Sequence, residues 1–137
     1  MADKRTNRAE GRAGETIAAN YLQSLGYTIL CRNYTSEYGE IDIIAYDGRT
    51  YAFIEVKMRS DTEVQKLYGR PMRAVNSAKK QRILKTAKQY IRENSLYERP
   101  ARIDAMEIYK TDHGDCVSFR INYIKHIMSD SSYDNYR

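Results

Sequence analysis

The spacing of apolar residues along the chain predicts two helices and five strands. Between residues 7 and 25 the apolar side chains recur at steps of three and four, as in an amphipathic helix, and Gly26 supplies a C-terminal stop. Helical spacing returns over residues 77–93, where apolar and basic residues occupy different faces. The strand-like runs, rich in β-branched and aromatic residues, cover residues 27–34, 39–46, 49–58, 102–110 and 116–124.

The order of these elements indicates an α/β fold. Helices interspersed with strands of this length predict a mixed central β-sheet of about five strands flanked by helices. No internal repeat and no long Gly, Ser or Pro tract divides the chain, so we expect a single domain over residues 1–137. Residues 1–7 and 129–137 are polar and are expected to be flexible ends, and the polar stretch 59–74 predicts a loop.

The most informative stretch is the predicted hairpin around the Asp47-Gly48 dipeptide, which favours a two-residue turn. Counting outward from such a turn places Asp42 opposite Phe53 and Glu40 opposite Glu55. Asp42 and Glu55 are then diagonal neighbours on one face, close enough to bind one cation. A four-residue loop ending at the same pair is expected to keep this register, whereas a three-residue loop would reverse it and separate the two acids.

Lys57 lies two residues after Glu55 and therefore shares its face. Carboxylates and an ammonium group in such apolar strands are unfavourable unless they are paired or bind a metal. Asp42 and Glu55 offer hard oxygen ligands, which suit Mg²⁺ or Mn²⁺. A cation held there can activate a water and neutralise charge on a phosphodiester, with Lys57 orienting the water or stabilising the transition state. The competing explanation is a solvated strand face with cross-strand ion pairs.

Glu15 is the fourth candidate for this site and a further candidate metal ligand. On a helical wheel it lies beside Leu22 at the rim of the apolar stripe, from which a carboxylate can reach over the sheet. The alternative is structural, because a glutamate in the first half of a helix interacts favourably with the helix dipole.

The formal net charge of +5 and the pI of about 9.2 favour a polyanionic partner. Nucleic acid is favoured over a membrane, because no apolar run approaches the roughly 20 residues of a spanning helix. A solvated basic face explains the residues of the second helix equally well. The residues expected to contact phosphate, on the polar loop and the second helix, are Arg59, Lys66, Arg70, Arg73, Lys79, Lys80 and Lys85.

The N-terminal residues are polar and lack the apolar core of a secretion signal, so we expect a cytoplasmic protein. Cys31 and Cys116 form no metal-binding spacing, and His113 and His126 are far apart in sequence. A zinc site is therefore not expected.

Three segments together resemble the uncharacterised YraN-like proteins: GRAGETIAANYL, YGEIDIIAYDGRTYAFIEVKMR and AVNSAKKQRILKTAKQYI. The resemblance covers about residues 8–124 and places the chain in the restriction-endonuclease-like superfamily, nearest to archaeal Holliday junction resolvases. It implies a mixed sheet with flanking helices and a Mg²⁺ site on Asp42, Glu55 and Lys57. In the resolvase-like branch a glutamate of the first helix joins them, which matches Glu15. One departure is that Ile41 stands where the superfamily motif has proline.

Two hypotheses of function follow. The first is a Mg²⁺-dependent endonuclease that hydrolyses DNA phosphodiester bonds, including branched or repair intermediates. The second is a non-catalytic nucleic-acid-binding or adaptor protein on a nuclease scaffold. A homodimer would suit an enzyme that cuts two strands in related geometry, and the sequence leaves the oligomeric state open.

Overall fold

A computed structural model of the chain describes residues 4–60 and 77–128. The predicted order of helices and strands is confirmed, and their ends differ from the prediction by a few residues. α1 begins inside the predicted flexible end 1–7, while the predicted flexible end 129–137 lies outside the described residues, as does most of the predicted loop 59–74. The elements in chain order are α1 (Lys4–Ser24), β1 (Thr28–Thr35), β2 (Glu40–Tyr46), β3 (Tyr51–Ser60), α2 (Ser77–Glu93), β4 (Ala101–Asp112) and β5 (Val117–Met128).

The five strands form one mixed sheet in the order β1-β2-β3-β4-β5. β3 and β4 are parallel, and the other neighbouring pairs are antiparallel. A parallel pair needs a long crossover connection, and α2 lies in that connection. The prediction of an α/β fold with a mixed sheet of five strands is confirmed.

α1 packs on one face of this sheet. Its buried residues Ala18 and Leu22 contact a core that includes Ile43, Ile54 and Met106. The helix ends at Gly26, where φ is +92° and the backbone N–H donates to the carbonyl of Gln23. This glycine stop turns the chain back into β1.

α2 packs on the opposite face. Strand neighbours alternate between faces, and Ile44 and Phe53 contact the buried α2 residues Ile83, Ala87 and Ile91. Within the described ranges, no helix is both long enough and apolar enough to cross a bilayer. In the part of the chain that the structure describes, one helix packs on each face of the sheet.

The turn between β2 and β3 is longer than predicted. Tyr46 pairs with Tyr51, so residues 47–50 form the connection. The Oδ1 atom of Asp47 accepts hydrogen bonds from the backbone N–H groups of Arg49 and Thr50 at 2.8 and 2.7 Å. The predicted two-residue turn is wrong, because the Asp47 side chain stabilises a wider turn through these local hydrogen bonds.

The wider turn shifts β3 by two positions relative to β2. Phe53 therefore lies opposite Ile44, and not opposite Asp42 as predicted. A shift by an even number of residues leaves each side chain on its predicted face of the strand. The ladder between β2 and β3 ends at the pair Ile43–Ile54, so Asp42 and Glu55 each lie one residue beyond its last pair.

A buried polar network fixes the end of the sheet at this turn. Asp104 is fully buried, and Arg102 Nε donates to both of its carboxylate oxygens at 3.1 and 2.9 Å. Arg102 also donates to Asp47 Oδ2 at 2.8 Å and to the Tyr27 hydroxyl at 2.8 Å. The Tyr123 hydroxyl donates to the same Asp104 carboxylate. Arg102 thus ties β4 to the turn and to the segment after α1.

We expect Arg102→Met to lower the free energy of unfolding by about 3–5 kcal/mol, because it leaves the buried Asp104 carboxylate without its cation. Urea denaturation measures this loss. The control is Arg99→Met at an exposed position nearby, which should change stability by less than about 0.5 kcal/mol. Equal losses for the two variants would contradict a structural role for the network.

Candidate functional site

The sheet forks at Asp42. The ladder between β2 and β3 ends at the pair Ile43–Ile54, beyond which β2 continues beside β1 and β3 beside β4. At the fork, Asp42 Oδ2 accepts a hydrogen bond from the backbone N–H of Val56 at 2.8 Å. The Asp42 carboxylate thus accepts a hydrogen bond from a backbone N–H that has no partner in the β2–β3 ladder. This hydrogen bond fixes the position of the carboxylate.

Two further carboxylates approach Asp42 at the fork. Glu15 of α1 and Glu40 at the start of β2 each place a carboxylate oxygen so that the three lie within 4.8 Å of one another. Glu15 and Asp42 were predicted to meet. Glu40 was predicted to lie on the same strand face but was not predicted to be a ligand.

A close contact between α1 and β3 positions Glu15. Gly14 is buried, and a Cβ atom there would lie 3.3 Å from Cε of Met58. A Cβ atom at position 14 would therefore require Met58 to shift by a few tenths of an ångström. The Glu15 side chain is 12% exposed, and its Oε2 lies 3.8 Å from Nη2 of Arg32.

Glu55 contributes to the electrostatics of Asp42 but lies outside the three-carboxylate group. Its side chain is 19% exposed, and its Oε1 lies 2.6 Å from Nζ of Lys79 in α2. Among the described residues, Oε2 of Glu55 and Oε2 of Glu15 are buried without a hydrogen-bond partner. Buried carboxylate oxygens are usually hydrogen-bonded, so these two acceptors are candidate ligand atoms.

Burial raises the pKa of Asp42 from 3.8 to about 6. The hydrogen bond from Val56 opposes this rise, and the negative charges of Glu15, Glu55 and Glu40 add to it. The three glutamates therefore disfavour the charged form of Asp42, and a cation placed beside Asp42 would offset that repulsion.

Lys57 is exposed and lies beside Glu107 of β4 in the parallel register. Arg59, one of the predicted phosphate-binding residues, is 14% exposed and pairs with the buried Glu107 at 3.2 Å. Its guanidinium thus joins β3 to β4. Lys85 is exposed and lies 5.4 Å from the ring centre of Tyr38.

The remaining residues predicted to bind phosphate are Lys79 and Lys80 of α2 and Lys66, Arg70 and Arg73 of the predicted loop. Lys80 lies in the first turn of α2 and is half-buried. Lys79 of the same turn contacts Glu55. The predicted contacts of Lys66, Arg70 and Arg73 fall outside the described residues.

The repulsion among the acids can be tested by comparing the Asp42→Asn variant with the native chain, both free of metal. The amide oxygen can still accept the Val56 hydrogen bond, while the buried charge is removed. Because the folded pKa is raised, the cost of the carboxylate is fully present above pH 6 and disappears as the pH falls towards 4. We expect the variant to be more stable at pH 7.5 by about 1–2 kcal/mol, less than the full shift implies because the group is partly solvated.

Urea denaturation in a chelating buffer at pH 7.5 and pH 4 measures this difference, which should shrink towards zero at the lower pH. Asp115→Asn in an exposed turn is the control and should change little at either pH. A destabilised Asp42→Asn protein at pH 7.5 would contradict the repulsion.

Comparison with known proteins identifies the family. A profile described as "Uncharacterised protein family UPF0102" matches residues 14–108, which include the four acids and Lys57. A UPF0102 protein of Clostridium kluyveri is 42% identical over 115 residues, covering 84% of this chain and 91% of the relative. Another, of Carboxydothermus hydrogenoformans, is 41% identical over 123 residues, covering 89% of this chain and 98% of the relative. The chain therefore belongs to the UPF0102 family, in agreement with its resemblance to YraN-like proteins.

Proposed function

We propose that the protein is a metal-dependent nuclease of the restriction-endonuclease type that hydrolyses DNA phosphodiester bonds. The observation that carries the proposal is the convergence of Glu15, Glu40 and Asp42 at the fork, with oxygens within 4.8 Å of one another. Glu55 adds a fourth carboxylate beside them. Branched or repair intermediates are the proposed substrates, by resemblance to the junction resolvases.

The donor set fits Mg²⁺ or Mn²⁺. Both ions prefer carboxylate oxygens, and the ligand oxygens around one such ion lie ~3–4 Å apart. The oxygens of Glu15, Glu40 and Asp42, which lie within 4.8 Å of one another, are near that spacing. The unpartnered Oε2 atoms of Glu15 and Glu55 provide acceptors that the described hydrogen bonds do not use.

Each side chain has a distinct part in the proposed chemistry. Glu15, Asp42 and Glu55 hold the cation, and Glu40 is a further carboxylate ligand. When bound, the ion supplies Lewis acidity towards a water and a phosphate oxygen. The exposed ammonium of Lys57 stabilises the negative charge that develops on the phosphate, or orients the attacking water.

A polar surface extends from Glu55 across the sheet. Residues paired in register share a face, so Lys57, Glu107 and Asn122 form one row. The next row contains Tyr109 and Arg120, with the Arg120 guanidinium 4.8 Å from the centre of the Tyr109 ring. This surface, from Lys57 to Arg120, is the proposed path of the phosphate backbone beyond the cleavage point.

Cleavage assays test the catalytic proposal. We expect the purified chain with Mg²⁺ or Mn²⁺ to cut at least one of linear, flapped and four-way DNA. Asp42→Asn and Glu55→Gln should each lower the rate by at least ~100-fold, the loss typical when one group of a preorganised site is removed. Glu98→Gln, at an exposed position, should keep the full rate.

Cleavage no greater than that of Asp42→Asn would contradict the nuclease proposal. If, in addition, calorimetry detects no metal binding by the native protein while Asp42→Asn binds DNA normally, the non-catalytic nucleic-acid-binding alternative is favoured.

Salt-dependent DNA binding tests the proposed backbone path. In the cleavage-deficient Asp42→Asn background, Arg120→Met should reduce the slope of log affinity against log salt concentration by about 1, because one phosphate contact is lost. Lys125→Met is a matched control. Lys125 lies on the same strand and over the Tyr123 ring, and its exposed position is outside the proposed path. Fluorescence anisotropy measures both slopes, and equal slopes for the two variants would exclude this path.

A further inference from the structure

Lys79 places a positive charge against one of the proposed ligands. It lies in the first turn of α2, and its Nζ is 2.6 Å from Oε1 of Glu55. The Lys79 side chain is 41% exposed, whereas the Glu55 side chain is 19% exposed. The lysine therefore reaches from the solvent side to a carboxylate that is mostly buried.

The two oxygens of Glu55 differ in their surroundings. Oε1 contacts the Lys79 ammonium, and Oε2 is buried without a hydrogen-bond partner among the described residues. Among the described residues, the ion pair made by the neighbouring carboxylates Glu15, Glu40 and Asp42 is the longer one between Glu15 and Arg32, at 3.8 Å. Lys79 is thus the cation in closest contact with the acids of the fork, within the described part of the chain.

We propose that Lys79 is an exchangeable counter-cation that holds Glu55 in the metal-free protein and gives way to the divalent ion when it binds. The inference rests on the proposed function, since it assumes that Glu55 is a metal ligand. A lysine suits the role, because its ammonium is a compact charge on a flexible four-carbon stem. Its partial exposure lets it leave Glu55 without becoming buried elsewhere, and it then lies at the mouth of the site, where a substrate phosphate would enter.

The competing role for Lys79 is purely structural: the ion pair would anchor the first turn of α2 to β3. The two roles differ in a measurable way. An exchangeable cation opposes metal binding, so removing its charge strengthens that binding. A structural anchor leaves the metal affinity unchanged, or lowers it by loosening Glu55.

Calorimetric titration with Mn²⁺ and with Mg²⁺ separates these roles. We expect Lys79→Met to bind the ion about 3- to 10-fold more tightly than the native chain, the size expected for a partly exposed ion pair together with the nearby positive charge. Lys79→Arg keeps the charge and should bind no more tightly than the native chain. Lys80→Met removes a charge from the same turn and should leave the affinity within twofold of the native value. Lys79→Gln replaces Lys79→Met if the latter does not fold.

The outcomes distinguish this inference from the proposed function. Metal binding by the native chain with equal or weaker binding by Lys79→Met overturns the role of Lys79 alone. Metal binding by Lys79→Met but not by the native chain supports it. Failure of the native chain and all variants to bind either ion overturns both this inference and the nuclease proposal.

Discussion

The hydrogen bond from the Val56 backbone to Asp42 is the interaction on which the candidate site depends. Where two strands of a sheet separate, backbone groups lose their ladder partners, and a buried N–H without an acceptor is costly. Asp42 supplies the acceptor at the point where β2 leaves β3. The residue that stabilises the fork therefore also brings a negative charge into it, and the pKa of about 6 reflects that conflict.

Much of the fold can be predicted from local patterns. Alternation along β2 predicts that Ile43 and Ile44 face opposite helices, and the structure confirms it. The pairing of β2 with β3 was predicted incorrectly, because the hydrogen bonds of Asp47 favour a wider turn than its dipeptide suggests. Because the shift is even, this error does not by itself change the predicted facing of Asp42 and Glu55.

The contacts between elements could not be predicted in the same way. The approach of Glu15 to Glu40 depends on how closely α1 packs on β3. Gly14 permits this close packing because it has no side chain to collide with Met58. The contact between Lys79 and Glu55 depends on the docking of α2. Helical periodicity identifies the face of a helix that is buried but not its distance from the sheet. For the same reason, sequence reasoning assigned Arg59 to nucleic acid and missed its buried partner on β4.

The sheet treats two groups of buried acids in opposite ways. On β4, Asp104 is fully buried beside Ile54, and Arg102, Tyr123 and a backbone N–H all donate to it. At the fork, Glu15 and Glu55 each keep a buried oxygen without a described hydrogen-bond partner, beside an aspartate whose pKa is raised. The same sheet thus satisfies one buried carboxylate completely and leaves acceptors of two others without a described donor. Groups that cost stability and remain unsatisfied are typical of functional sites, and this contrast is the physical basis of the proposal that the acids of the fork bind a divalent ion.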